Sequence, residues 1–406
     1  MAASKLARIT ALAAAFALSF QLSLDVFAAE EPIRLGVLND QSGPTADAAG
    51  PGSAIAARLA IEDFGGSVLG RPIELLVGDH QNKTDLAGTT TRRWIDVDNV
   101  VAILDGGTSA AALVIQQIAR EKERIVMFSG PATSDLTGKA CSPFGFHWTY
   151  DTYALANTLA RALVKEGNDT WFFLTSDYAF GHALERDATK FIESSGGKVI
   201  GRVRHPLNTA DFSSFILQAQ SSHARIIGLA NSADDALNSI KQAAEFGVTA
   251  GGQKIGGLLL LINQIHGLGL KSAQGTQVAE SFYWDMDEAT RNFSRRFEAI
   301  AHKKPNMIQA GVYSATNHYL KSVQLARSVA GAAVAEKMRA TPVNDFMSRD
   351  VTIRRDGRVM RDMYVYQVKT PQESTGPWDY YKKVSVVRGE DAFRPASESE
   401  CPLLKE

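Results

Sequence analysis

Short apolar runs recur along the chain, and each is followed by a longer stretch in which apolar positions return every three or four residues. The runs are strand-sized and apolar throughout, as strands buried on both faces require, while the longer stretches carry the helical period. The pattern predicts strand 33–38 before a helix near 54–64, strand 73–77 before helix 84–97, strand 101–104 before helix 110–123, and strand 125–128 before a short helix at 135–139. After an aromatic segment at 144–151 it restarts: helix 153–166, strand 171–175, helix 180–195, strand 199–204, helix 212–221, strand 226–230, helix 234–246 and strand 255–261. Helices near 288–302 and 307–334 follow, then a hairpin-like stretch, 350–353 and 360–368, around Asp356-Gly357. The tail, 370–377 and 390–400, is polar and contains proline, so it reads as loop.

Strands alternating with helices give parallel α/β sheets, and the restart predicts two doubly wound lobes. Segments 144–151 and 278–285 are the expected passages between them. The expected boundaries are a signal peptide at 1–28, a first lobe from 29–150 plus 282–349, and a second lobe from 151–281 plus 350–406 with the tail.

Two neighbouring strand-to-helix junctions carry the candidate chemistry. Leu104 runs into Asp105-Gly106-Gly107-Thr108-Ser109, and Phe128 runs into Ser129-Gly130-Pro131-Ala132-Thr133. Small hydroxylated residues opening a helix leave backbone N–H groups and a hydroxyl side by side, which is an anion clamp without a cation. Ser and Thr also serve as ordinary helix caps. Two consecutive junctions at the carboxyl ends of parallel strands favour a ligand site, because open α/β sheets bind ligands there.

The start of the chain bears on where it works. Lys5 and Arg8 precede the apolar stretch 9–20, and small residues at 26–28 precede Glu30-Glu31, the pattern of a secretory signal peptide. The expected location is the periplasm, reached by export. Loss of residues 1–28 leaves 41 basic and 43 acidic residues, too balanced for a nucleic-acid partner. Cys141 and Cys401 are the two cysteines. In an oxidising compartment they form one disulfide or remain two free thiols, and the bond is the expectation. The eight histidines show no metal spacing, and no HExxH, GxSxG or phosphate-loop pattern occurs, so neither catalysis nor a metal or cofactor is expected. Asp79-His80 at a strand end is the one pair that hints at acid/base work.

At several points the residues resemble the type I periplasmic binding proteins of ABC importers, of which the leucine/isoleucine/valine-binding protein is the type member. The likeness rests on Gln41-Ser42-Gly43-Pro44 after the first strand, the helix 54–64, Gly70-Arg71-Pro72 leading to Asp79 and Lys83-Thr84-Asp85, the junction at 129–133, and Asp177-Tyr178-Ala179-Phe180-Gly181. It implies two α/β lobes joined by three hinge strands, closing as a monomer around one solute and docking on an inner-membrane permease. By the same likeness Ser109, Pro131 and Thr133 fall where the ligand carboxylate is held, Phe180 at an aromatic wall, Asn231 and Ser232 at another contact loop, and Asp79 in a structural loop.

One departure is informative. Amino-acid binders of this family keep a carboxylate near the end of the strand written here as 255–261, to hold the ligand ammonium. This chain has leucines there, Leu260 among them. A buried ammonium without an acceptor is strongly disfavoured, so the expected ligand is a carboxylate lacking an α-amino group. Trp148, Tyr150, Tyr153, Tyr178, Phe180 and Trp284 stand at junctions or crossovers, and Tyr150, Phe180 and Trp284 are taken as ring contacts. A small aromatic carboxylate fits these features, as some members of the family take. A branched-chain or other amino acid, a ligand sensor of the same fold, and a periplasmic hydrolase are the alternatives.

Overall fold

The computed structural model describes residues 31–405. The signal-peptide reading of 1–28 lies outside them. Among the described residues no helix is long and apolar enough to cross a membrane.

Six strands, β1 Ile33–Asn39, β2 Ser67–Val68, β3 Arg71–Asp79, β4 Val100–Asp105, β5 Ile125–Phe128 and β6 Gly145–His147, form one sheet in the order β2-β3-β1-β4-β5-β6. Seven more, β7 Thr170–Ser176, β8 Lys198–His205, β9 Ile226–Ala230, β10 Lys254–Gly257, β11 Gln277–Glu280, β12 Met363–Val368 and β13 Tyr381–Val387, form a second in the order β13-β12-β11-β10-β9-β7-β8. From β3 to β6 and from β8 to β11 every pairing is parallel. β1, β4, β5 and β9 are buried nearly throughout because helices cover both faces, which is why they read as unbroken apolar runs. β8, at an edge, alternates exposed and half-buried residues up to the buried His205. The fold is therefore a pair of doubly wound α/β sheets.

β1 lies between β3 and β4, and β7 lies between β8 and β9, so the winding direction reverses between β1 and β4 and again between β7 and β9. Ligands of such sheets bind at the carboxyl side of that reversal.

The chain passes between the sheets at 148–151, 281–286 and 360–362, and two buried arginines tie the first and third passages together. Arg358 donates from Nη1 to the Tyr150 carbonyl at 3.1 Å and lies 3.3 Å from Asp151 Oδ2, while Arg361 donates from Nε to the Trp148 carbonyl at 2.8 Å. Burial pushes both guanidiniums down to about 10, which leaves them cationic at neutral pH. Trp148 is itself fixed from the other side, its Nε1 donating to Ser314 Oγ at 2.9 Å. Cys141 and Cys401 are disulfide-bonded, with Cα atoms 5.7 Å apart, and tie the tail to the loop before β6.

Four expectations are revised. The strand expected over 255–261 stops at Gly257, and a helix opens at Ile262. The helix expected over 307–334 ends at Ala326, where Arg327 turns left-handed (φ 50°), and resumes as Gly331–Ala340. The short helix at 135–139 is a 3-10 turn, Ser134–Thr137. In the expected hairpin only Ile353 and Val359 pair, Arg358 bridges to His147 beside the first sheet, and Met363–Val368 pairs with β11 and with the unforeseen β13.

Candidate functional site

The carboxyl ends of β1, β4 and β5 face those of β7, β9 and β10 across a narrow cavity. The first side contributes Thr45, Ala48, Ala49, Gly107, Thr108, Ser109, Gly130 and Ala132, together with Ile308; the second contributes Tyr178, Phe180, Ser232, Ala233, Leu259, Leu261 and Gln264; Tyr150 reaches in from the first passage.

The junction after β4 is shaped by Asp105, Gly106 and Gly107, all left-handed with φ of 75°, 82° and 65°. That turn brings the backbone round sharply, and a side chain at Gly106 would meet the Phe128 ring, at 2.7 Å. Asp105 is fully buried and accepts from Asn39 Nδ2 (2.7 Å), Ser53 Oγ (2.7 Å) and the Gly130 amide (2.9 Å). It therefore locks β1, β4 and β5 together behind the site. Burial raises its carboxyl above the ordinary 3.8.

Three helices begin at the cavity wall without a side-chain cap: Ser109–Glu121, Ala179–Ser194 and Ala233–Glu245. The Thr108 hydroxyl, positioned to cap the first of them, donates to Asn82 Oδ1 at 2.8 Å instead. First-turn N–H groups and the positive ends of helix dipoles consequently point toward a shared space from both sheets. No Asp, Glu, Lys, Arg or His side chain is among the described residues that line it. The cavity suits an anionic group and offers nothing to neutralise an ammonium.

Four of the nine expected contact residues, Ser109, Tyr150, Phe180 and Ser232, come together on this cavity. Ser109 Oγ accepts from the amides of Ala132 (3.3 Å) and Thr133 (3.1 Å), which joins the two junctions and leaves its proton for another acceptor. Tyr150 donates to the Gly130 carbonyl at 2.8 Å, and Tyr178 lies against Phe180 with ring centroids 5.8 Å apart.

The other five lie off the lining. The Thr133 hydroxyl accepts from the Asp135 amide at 3.3 Å, capping the 3-10 turn, and the Pro131 carbonyl accepts from His147 Nε2 at 2.7 Å. Asn231 is buried against His205 and Ser239. Trp284 donates to the Trp378 carbonyl at 2.8 Å and carries Lys304 over its ring. Leu260 packs into the core of the second sheet, whereas its neighbours Leu259 and Leu261 face the cavity, because the segment leaves the strand after Gly257 and its side chains alternate between the two sides. Of the other two aromatics, Trp148 is buried at the crossover, and Tyr153 packs edge-on against Phe191.

Sequence reasoning also missed Gln264. Its Oε1 accepts from the Leu261 amide at 2.6 Å. A polar residue three positions after the leucine run, at the opening of a helix, was the available signal.

Comparison with known proteins agrees with this architecture. A family model described as periplasmic binding protein matches residues 32–376. A solved periplasmic binding protein from Burkholderia mallei is 44% identical, covering 92% of this chain and 99% of that one, with a TM-score of 0.90. A branched chain amino acid ABC transporter periplasmic ligand-binding protein from Burkholderia xenovorans is 38% identical over 92% of this chain and 100% of that one, with a TM-score of 0.82. Among curated proteins, a Leu/Ile/Val-binding protein homolog of Brucella melitensis is 26% identical over 54% of this chain, a match that spans only 57% of the relative's own length. Family model, solved relatives and paired sheets agree: the chain belongs to the periplasmic binding protein family.

Proposed function

We propose that this protein is the solute-binding component of an ABC importer and that it captures a small aromatic carboxylate without an α-amino group. The observation that carries the reading is a neutral cavity onto which three uncapped helices open, with Tyr150, Tyr178 and Phe180 beside it. A carboxylate against first-turn amides and the Ser109 hydroxyl gains charge-assisted hydrogen bonds, worth about 1.5–3 kcal/mol each. A ring against the aromatic wall adds hydrophobic burial at roughly 25 cal/mol per Å². Solute-binding proteins of the same fold support the ligand class: one from Rhodopseudomonas palustris, 18% identical with a TM-score of 0.80, was solved in complex with benzoate.

A second reading, a branched-chain amino acid, is favoured by the names of the relatives from Burkholderia xenovorans and Brucella. It requires an acceptor for the ammonium, and Leu259 and Leu261 occupy that wall. Thermal melting separates the two, since a ligand at 100 times its dissociation constant adds about 2.7 kcal/mol to stability. Benzoates should raise the melting temperature, and leucine and valine should leave it unchanged. The reverse pattern would replace the first reading by the second.

A further inference from the structure

Of the described side chains that line the cavity, Gln264 alone carries a buried polar atom without a hydrogen-bond partner: its Nε2. The residue is 3% exposed. Its orientation is fixed, because Oε1 is held by the Leu261 amide and Nε2 is therefore the free branch of the amide. Leu259, Leu261 and Ile308 line the same cavity, and Nε2 has no hydrogen-bond partner there. A buried donor in apolar company is unfavourable unless something supplies an acceptor. Ser109 and the helix that follows it belong to the first sheet, and Gln264 belongs to the second, so one solute spanning the cleft meets both.

We propose that Gln264 is a specificity-determining residue that donates to an oxygen on the ring end of the solute, so that the captured acid is a hydroxylated, alkoxylated or oxo-bearing aryl carboxylate. This rests on the aryl-carboxylate reading, with the carboxylate at Ser109. A bare ring leaves Nε2 unpaired in the closed cleft, whereas an oxygenated ring satisfies it. Selectivity for the oxygenated acid follows from the cost of the unpaired donor, as in sites built to hydrogen-bond one particular substrate group.

Calorimetry with benzoate, 3-hydroxybenzoate and 4-hydroxybenzoate tests this on the intact exported protein. The better hydroxybenzoate should bind roughly 10- to 100-fold more tightly than benzoate, the range expected for one buried hydrogen bond. In Gln264→Met that ratio should fall to about one, with benzoate, which no longer leaves a buried donor unpaired, gaining affinity. Gln264→Glu retains an oxygen for the Leu261 amide and replaces the amide donor by an acceptor, so it guards against a Met variant that fails to fold: 4-methoxybenzoate, whose ring oxygen only accepts, should lose its advantage over benzoate there. Benzoate binding as tightly as the better hydroxybenzoate, or a preference that survives both substitutions, would overturn the inference while leaving the aryl-carboxylate reading intact. No saturable binding of any of the three acids would overturn both.

Discussion

Ser109 and Thr133 look equivalent in the sequence, yet their hydroxyls do different work. Thr133 spends its oxygen on the Asp135 amide, while Ser109 Oγ receives two amides and keeps its proton. Ser109→Ala should therefore weaken the ligand by about 1.5–3 kcal/mol, the worth of a hydrogen bond to a charged group, and Thr133→Ala should act mainly on stability. Equal affinity loss in the two variants, read by calorimetry, would contradict that division. Glu280 is a second residue whose behaviour follows from its surroundings. It is 1% exposed, its Oε1 accepts from the Tyr381 hydroxyl at 3.3 Å, and burial raises its carboxyl well above the ordinary 4.5. A raised folded-state pKa contributes stability that is complete below about 4.5 and is lost as pH rises through the folded value, by about 1.4 kcal/mol per unit. Glu280→Gln removes this loss, so its melting temperature should gain on the parent as pH rises above 4.5, until the folded-state value is passed. A difference that stays constant with pH would refute the assignment.

At the scale of elements, the strands that read most clearly were those buried on both faces, because continuous apolar runs such as Val100–Asp105 and Ile226–Ala230 admit few other interpretations. Tyr381–Val387 escaped notice because it is an edge strand exposed along most of its length and rich in lysine, a composition shared with loops. Four consecutive leucines carry no period, so nothing local announced that the chain leaves the sheet at Gly257 and directs Leu259 and Leu261 to the cavity and Leu260 away from it. The opening of the helix Ile262–Leu268 also joins the two sides of the cleft. Asn263 donates to Asp47 Oδ2 and accepts from Asn306 Nδ2 at 3.1 Å, while Lys303 pairs with Asp47. None of these four residues lines the cavity. The bonds from Asn263 hold the two sides together, and under the proposed reading a ligand that needs both sides gains from them. Asn263→Ala should weaken every ligand by a similar factor, on the order of 5- to 100-fold, as expected for two lost hydrogen bonds. A loss confined to one ligand class would mean that Asn263 touches solute directly.

At the scale of the whole molecule, the two sheets, their winding and the location of the cleft were legible because strand-helix alternation and the restart after 144–151 are global patterns. The identity of the lining was legible where a residue sits at a junction after a strand, as Ser109, Phe180 and Ser232 do, and at Tyr150 in the first passage. Contacts set by packing between distant segments were not: Trp284 against Trp378 and His147 against Pro131 depend on how the passages lie over one another. The same holds for the buried Arg358 and Arg361, whose long charged side chains read as surface until the crossovers enclose them. The absence of charge from the lining is likewise a property of the assembled pair of sheets. It carries the central claim, that the cleft holds a carboxylate and rejects an α-ammonium. The most direct test is calorimetry with two solutes of one carbon skeleton, 4-hydroxyphenylpropanoate and tyrosine, which differ only in that ammonium. The deaminated acid should bind with tyrosine weaker by at least about 100-fold, since desolvating an unpaired ammonium costs several kcal/mol. Tyrosine binding as tightly as the deaminated acid would contradict the account.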